Sequence, residues 1–97
     1  MDTPALVFEK PGNERRYRAL LAGEEVGFAD VDPISTDALL IKHTEVDSKF
    51  EGRGFAGALM RYILDDARAQ SRKVIPVCPY AAAYIRKHPE YADLVRK

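Results

Sequence analysis

The apolar period of this chain changes once, near Gly54, and that change limits the possible folds more than any other feature. Before it, Tyr17, Ala19 and Leu21 alternate with Arg16 and Arg18, the period of a strand with one buried face. After it, Phe55, Leu59, Tyr62, Ile63 and Ala67 form one stripe of a helix that runs from Gly54 to about Ser71. Lys73–Cys78 is then a short run rich in valine and isoleucine, read as a buried strand. A strand, a helix and a second strand in this order make a crossover, which joins parallel strands and is nearly always right-handed. Cys78-Pro79 opens a further helix, because proline loses nothing in a first turn. Pro89 closes that helix, and Tyr91–Arg96 forms a last short turn.

The first half reads as strands joined by turns. Ala5–Glu9 is short and apolar, and Pro11-Gly12-Asn13 follows it as a turn. Gly23-Glu24-Glu25 reads as a tight turn into Val26–Val31, Asp32–Asp37 with its Pro33 as a loop, and Ala38–Val46 as the longest strand. The expected class is α+β. It has a mostly antiparallel five-stranded sheet, strands four and five parallel, and helices packed on it. With 97 residues the chain is read as a single domain over 1–97.

Charge excludes some functions. Fifteen basic and fifteen acidic side chains cancel, which argues against a nucleic-acid binder and gives no steering argument for an acidic or basic substrate. The groups Arg15, Arg16, Arg18 and Arg68, Arg72, Lys73 read as solvated faces. One cysteine, Cys78, excludes an internal disulfide framework and fits a reducing compartment. Met1-Asp2-Thr3-Pro4 has no leader pattern and no apolar run is long enough for a membrane, so a cytoplasmic location is expected. His43 and His88 lack paired spacing, so no metal site is expected.

The strongest chemical signal is the segment Glu51, Gly52, Arg53, Gly54, Phe55, Ala56 and Gly57, where small residues feed a helix. Such residues allow a ligand close to the backbone. The first turn of a helix offers unpaired N–H groups and a positive dipole end, an anion site suited to a pyrophosphate. The segment is neither a Walker loop, lacking Gly-Lys-Ser/Thr, nor a dinucleotide fingerprint, because it follows four strands.

Glu51-Gly52-Arg53-Gly54-Phe55-Ala56 resembles the acetyl-coenzyme A signature of the GNAT superfamily of N-acetyltransferases. Gly54 and Ala56 match it; Glu51 stands where Gln or Arg is usual, and its carboxylate repels a pyrophosphate unless it points away or pairs with Arg53 or Lys49. The set His43-Thr44-Glu45-Val46, Glu51-Gly52-Arg53-Gly54 and Pro76-Val77-Cys78-Pro79-Tyr80 is similar to a minimal branch of that superfamily of about this chain's length. That branch lacks the two helices that larger members place between their first strands, and the final strand pair. The resemblance implies a splayed opening between strands four and five that takes acetyl-CoA. The backbone near Val46 would meet the pantetheine, and the N–H groups from Arg53 to Gly57 the pyrophosphate.

Cys78, at a strand end and a helix N-cap, is a candidate catalytic residue as acyl acceptor, base or pocket wall. His43, sharing strand parity with Leu39, Ile41 and Glu45, is a candidate base oriented by Glu45. By the resemblance, Glu45 is also a candidate base through water, and Tyr80 a proton donor to the leaving thiolate. Tyr84 lies on the same helix face as Tyr80 and is placed with the cofactor. Arg86, Lys87 and His88 either meet the cofactor's 3′-phosphate or favour the helix dipole. The readings are an N-acetyltransferase for an amine of unknown identity, a weakly active or non-catalytic acetyl-CoA-binding sensor, or a small interaction domain. The chain is expected to be a monomer or weak homodimer.

Overall fold

The alternating segments pair with their neighbours in chain order, so the first four strands form a meander. The computed structural model describes residues 5–12 and 15–96. Met1 to Pro4, read for a leader, and Asn13 of the first turn lie outside the described residues. Strands β1 (Leu6–Glu9), β2 (Arg16–Leu21), β3 (Glu24–Ser35) and β4 (Ala38–Val46) are antiparallel, and α1 (Phe55–Ala69) crosses to β5 (Lys73–Pro76), which pairs parallel to β4. The five-stranded sheet has the order β1-β2-β3-β4-β5. Helix α2 (Pro79–Lys87) and a 3₁₀ segment, Pro89–Leu94, complete the described chain. The α+β class and the parallel pairing of strands four and five are as expected.

Four boundaries differ from expectation, one of them the last turn, which spans Pro89–Leu94 and not Tyr91–Arg96. The turn between β2 and β3 is Ala22-Gly23, with φ of 52° and 83°, and β3 already starts at Glu24. Residues Asp32 to Ser35 are strand and not loop, which makes β3 longer than β4. Pro33 is tolerated because the register breaks between Asp32↔Leu40 and Ser35↔Ala38, so no ladder bond needs its missing N–H. The fifth strand ends at Pro76, before Cys78.

The helices occupy one side of the sheet. Leu59, Met60, Ile63, Leu64 and Ala67 of α1 are buried against Tyr17, Ala19, Ala29, Val31, Leu39, Ile41 and Val74. Each large aliphatic side chain so buried contributes roughly 1.5–3 kcal/mol. Ala81 and Ile85 of α2 join the same cluster. Helix α2 lies beside α1, since a Cβ built on Gly57 would come within 3.5 Å of the Tyr80 hydroxyl and 3.6 Å of the Tyr84 ring. Among the described residues no helix covers the opposite sheet face, which carries Arg16, Arg18, Phe28, Asp30, His43 and Glu45. Among the described residues no helix is long and apolar enough to cross a membrane.

Candidate active site

Strands β4 and β5 separate where two prolines end the ladder. They pair from Ala38↔Lys73 to Ile41↔Pro76, and the Cys78 N–H then donates to the Ile41 carbonyl at 3.0 Å. Beyond that point Pro79, in the first turn of α2, turns the chain into the helix, with Cys78 as its N-cap. Residues Lys42 to Val46 of β4 are left without a β5 partner. This opening is the splay that the sequence resemblance implied.

A cleft of about 160 Å³ lies at the end of this opening, lined by Val46, Phe50, Glu51, Gly52, Gly54, Phe55, Ala56, Gly57 and Tyr80. Gly52 and Gly54 take φ of 82° and 77°, a left-handed path that a side chain would strain. Gly54 is the N-cap of α1 and supplies no capping side chain. The first helical bond runs from the Ala58 N–H to the Gly54 carbonyl at 3.0 Å. The N–H groups of Phe55, Ala56 and Gly57 therefore have no helical partner. The site matches an anion in shape and dipole, and small residues keep its floor open.

Glu51 lines this cleft and also a larger one, about 510 Å³, formed by Glu25, Val26, Gly27, Phe28, Glu45, Val46, Asp47, Ser48 and Glu51. Neither cation expected beside Glu51 pairs with it. Lys49 lies 3.5 Å from Glu24, and the Arg53 guanidinium stands 5.5 Å over the Phe50 ring.

The candidate catalytic side chains divide between the two sheet faces. A register shift pairs Val31 with Ile41 but Asp30 with His43, leaving Lys42 as an extra residue. His43 and Glu45 therefore do not share the face of Leu39 and Ile41, as their spacing had suggested. They point to the helix-free face, 55% and 60% exposed, with His43 Nε2 and Glu45 Oε1 3.2 Å apart. The Phe28 ring is 6.0 Å from the His43 ring. Thr44 points the other way, and its Oγ1 accepts from the Cys78 thiol at 3.6 Å. Cys78 is 3% exposed and belongs to the core.

A family model described as GCN5-related N-acetyl-transferase matches residues 16–94. The chain belongs to the GCN5-related N-acetyltransferase family. Comparison with curated proteins gives no match. Among solved structures, Ard1 from Thermoplasma volcanium is 28% identical with a TM-score of 0.57, over 80% of this chain and 54% of that one. A GCN5-like protein from Staphylococcus aureus is 18% identical with a TM-score of 0.70, over 99% and 91%. A GNAT family acetyltransferase from Elizabethkingia anophelis with acetyl-CoA bound is 20% identical with a TM-score of 0.59, over 78% and 51%. The chain thus spans about half the length of the first and third of these proteins.

Within this GNAT frame, the expected cofactor residues Val46, Glu51, Gly52, Gly54, Phe55, Ala56 and Gly57 are brought together around one cleft, with Tyr80 facing them. Arg53 and Tyr84 lie outside its lining. The Tyr80 phenol is held above its ordinary pKa by burial and by the nearby Cys78. Burial also raises Tyr84, whose ring packs on His88 with centroids 3.9 Å apart. Sequence reasoning missed Thr44, the partner of Cys78, and Phe50, which forms an aromatic wall 5.9 Å from Phe55. The Phe50–Phe55 spacing around the glycines was available as a signal; nothing in the sequence marked the bulge that turns Thr44 inward.

Proposed function

We propose that this chain is an acetyl-CoA-dependent N-acetyltransferase that acts on an amine. The observation that carries the reading is the left-handed Gly52–Gly54 turn, which presents the free N–H groups of α1 to the cleft beside the unpaired end of β4. The acetyl-CoA held by the Elizabethkingia relative supports the choice of acyl donor.

Bound acetyl-CoA would supply a thioester, so that a C–N bond forms to the amine as the C–S bond breaks. The N–H groups of Phe55, Ala56 and Gly57 hold its pyrophosphate, and the Val46 backbone orients its pantetheine arm. His43, on the helix-free face, takes the proton lost by the amine nitrogen, with Glu45 orienting the imidazole. Tyr80, kept protonated by burial, gives its phenolic proton to the departing sulfur. Cys78, its thiol directed at Thr44, shapes the wall between the two faces.

One observation favours a second reading, a binding module that senses acetyl-CoA with little turnover. The His43–Glu45 pair is open to solvent, on the face opposite the buried Cys78, so the candidates do not form one enclosed constellation. Calorimetric titration with acetyl-CoA, and separately with ATP, tests the common ground. Saturable one-to-one binding of acetyl-CoA alone supports both readings, and its absence in folded protein removes both. Amine-dependent release of free coenzyme A then separates enzyme from sensor.

A further inference from the structure

A cavity between the β1–β2 turn and the C-terminal end of α1 is left unused by the transfer reading. It encloses about 310 Å³, and Lys10, Arg15, Tyr17, Leu39, Asp66 and Arg72 are among its lining residues. A space of this size takes a small molecule. Asp66 follows Phe55 by eleven residues, about 16 Å along the axis of α1, so the cavity and the acetyl-CoA cleft lie at opposite ends of the helix. Pro33 stands at its rim, where the register of β3 on β4 breaks between Asp32↔Leu40 and Ser35↔Ala38. Ser71, with φ of 55°, turns the chain out of α1, and the N–H of the next residue, Arg72, donates back to the Ala67 carbonyl at 2.8 Å.

The charges around this cavity do not cancel. Asp66 is 8% exposed and accepts from the Tyr17 hydroxyl at 2.7 Å and the Gln70 amide at 2.9 Å, while Lys10 Nζ pairs with its other oxygen at 2.9 Å. The carboxylate and the lysine therefore match each other. Arg15 is matched as well, by Asp32 at 2.8 Å. Arg72 is not. It is half-buried, its Nε donates to the Thr36 carbonyl at 3.4 Å, and it has no ion pair among the described residues. Burial and Asp66 hold the Tyr17 phenol far above its ordinary pKa, and the charge of Arg72 opposes them, which sets the guanidinium near the cavity floor. The remaining walls are apolar, with Val31 and Leu39 from the core and Pro11 and Pro33 at the rim.

We propose that this cavity binds a small monocarboxylate with a branched apolar body, its carboxylate on Arg72 and its hydrocarbon against Leu39, Val31 and the two prolines. The site is separate from the acetyl-CoA cleft and does not rest on the acetyl-CoA reading. A guanidinium offers a forked pair of donors that fits the two oxygens of a carboxylate. One unmatched cation favours one negative charge, and a phosphate monoester carries most of two at neutral pH. Asp66 does not oppose the ligand, because Lys10 already balances it. Since the mouth is open to water, the expected discrimination by charge is modest, about tenfold.

The test is an NMR titration of the folded chain with isovalerate, acetate, isoamyl alcohol and inorganic phosphate, read at the backbone amides and at the Arg72 Nε–H. Isovalerate should saturably shift the Arg72 Nε–H and the amides of Arg15, Tyr17 and Gln70, and leave those of Gly54 and Ala56 in place. Acetate lacks the apolar body and isoamyl alcohol lacks the charge, so each should bind about tenfold more weakly. Phosphate should bind no more tightly than acetate. Arg72→Ala should lower isovalerate to the affinity of the alcohol, and Arg72→Lys should recover part of the loss. Thermal melts of both variants should match the wild type, since the Arg72 side chain makes one long hydrogen bond; the ligand series on the wild type stands without them. No saturable shift with isovalerate, equal affinity for isovalerate and the alcohol, tighter binding of phosphate, or undiminished binding in Arg72→Ala would overturn the inference. So would shifts confined to the phosphate turn. Each of these results leaves the acetyl-CoA reading untouched.

Discussion

Two glycines with the same backbone geometry allow the phosphate turn to be tested separately from fold stability. Gly54 has φ of 77° and Gly23 has φ of 83°, and a Cβ on either meets nothing within 4 Å. Alanine at each position therefore pays the same penalty, the left-handed backbone, roughly 1–2 kcal/mol. For a domain of this size, 1 kcal/mol lowers the melting temperature by about 4–8 °C. Gly54→Ala and Gly23→Ala should melt alike, below the wild type. Their binding should differ, because Gly54 lines the 160 Å³ cleft and Gly23 lies in the β2–β3 turn. A methyl group at the N-cap stands where a pyrophosphate would approach the α1 N–H groups. Losing one hydrogen bond to a charged ligand costs about 1.5–3 kcal/mol, so affinity for acetyl-CoA should fall roughly ten- to a hundredfold. Calorimetry below both melting temperatures would measure this. Equal affinities in the two variants would refute the phosphate assignment, and unequal melting temperatures would refute the strain argument.

Further predictions concern the proton-bearing groups. Single replacement of Cys78, His43 or Glu45 by alanine should lower amine-dependent turnover while acetyl-CoA binding persists; unchanged turnover in all three would remove the catalytic assignment. Tyr80→Phe should retain affinity and lose roughly a hundredfold in rate, the usual share of one proton transfer; an unaltered rate would exclude the phenol as donor. Asp66 is buried, which pushes its pKa up, but hydrogen bonds from Lys10, Tyr17 and Gln70 outweigh this and leave it below the usual carboxylate range. A carboxyl with a depressed folded-state pKa stabilises the fold above its unfolded value of about 3.9 and loses that stability as pH falls through the folded value. Asp66→Asn should therefore cost about 2 kcal/mol near neutral pH and little in strong acid. Chemical denaturation followed across that range would show a pH-independent difference if the ionised form contributes nothing.

Much of the architecture could be read from the sequence because it depends on local patterns. Alternation in Arg16–Leu21 and the stripe from Phe55 to Ala67 each report a buried face through their own period. The crossover order then leaves few topologies for strands four and five. The Gly52–Gly54 turn was legible for the same reason, since a left-handed backbone and a helix start are properties of a few consecutive residues. Prolines did not read as reliably: Pro79 opened α2 as expected, while Pro33 lay inside β3. Its place there depends on which β4 residue lies opposite.

What tertiary structure alone decided is the side on which each candidate acts. Strand parity placed His43 with Leu39 and Ile41, but one unpaired residue, Lys42, reverses the count beyond it. A bulge belongs to two paired strands and not to either sequence, so the period of Ala38–Val46 could not reveal it. The same shift turned Thr44 toward Cys78 and sent His43 and Glu45 to the helix-free face. The stacking of Phe8 on Tyr62 arises likewise from packing, because the two rings meet only when β1 and α1 share one side of the sheet. The sequence by itself determined the elements, their order and the glycine turn before α1, because each follows from neighbours along the chain. The grouping of side chains for chemistry required partners distant in sequence, and only the folded sheet brought them together.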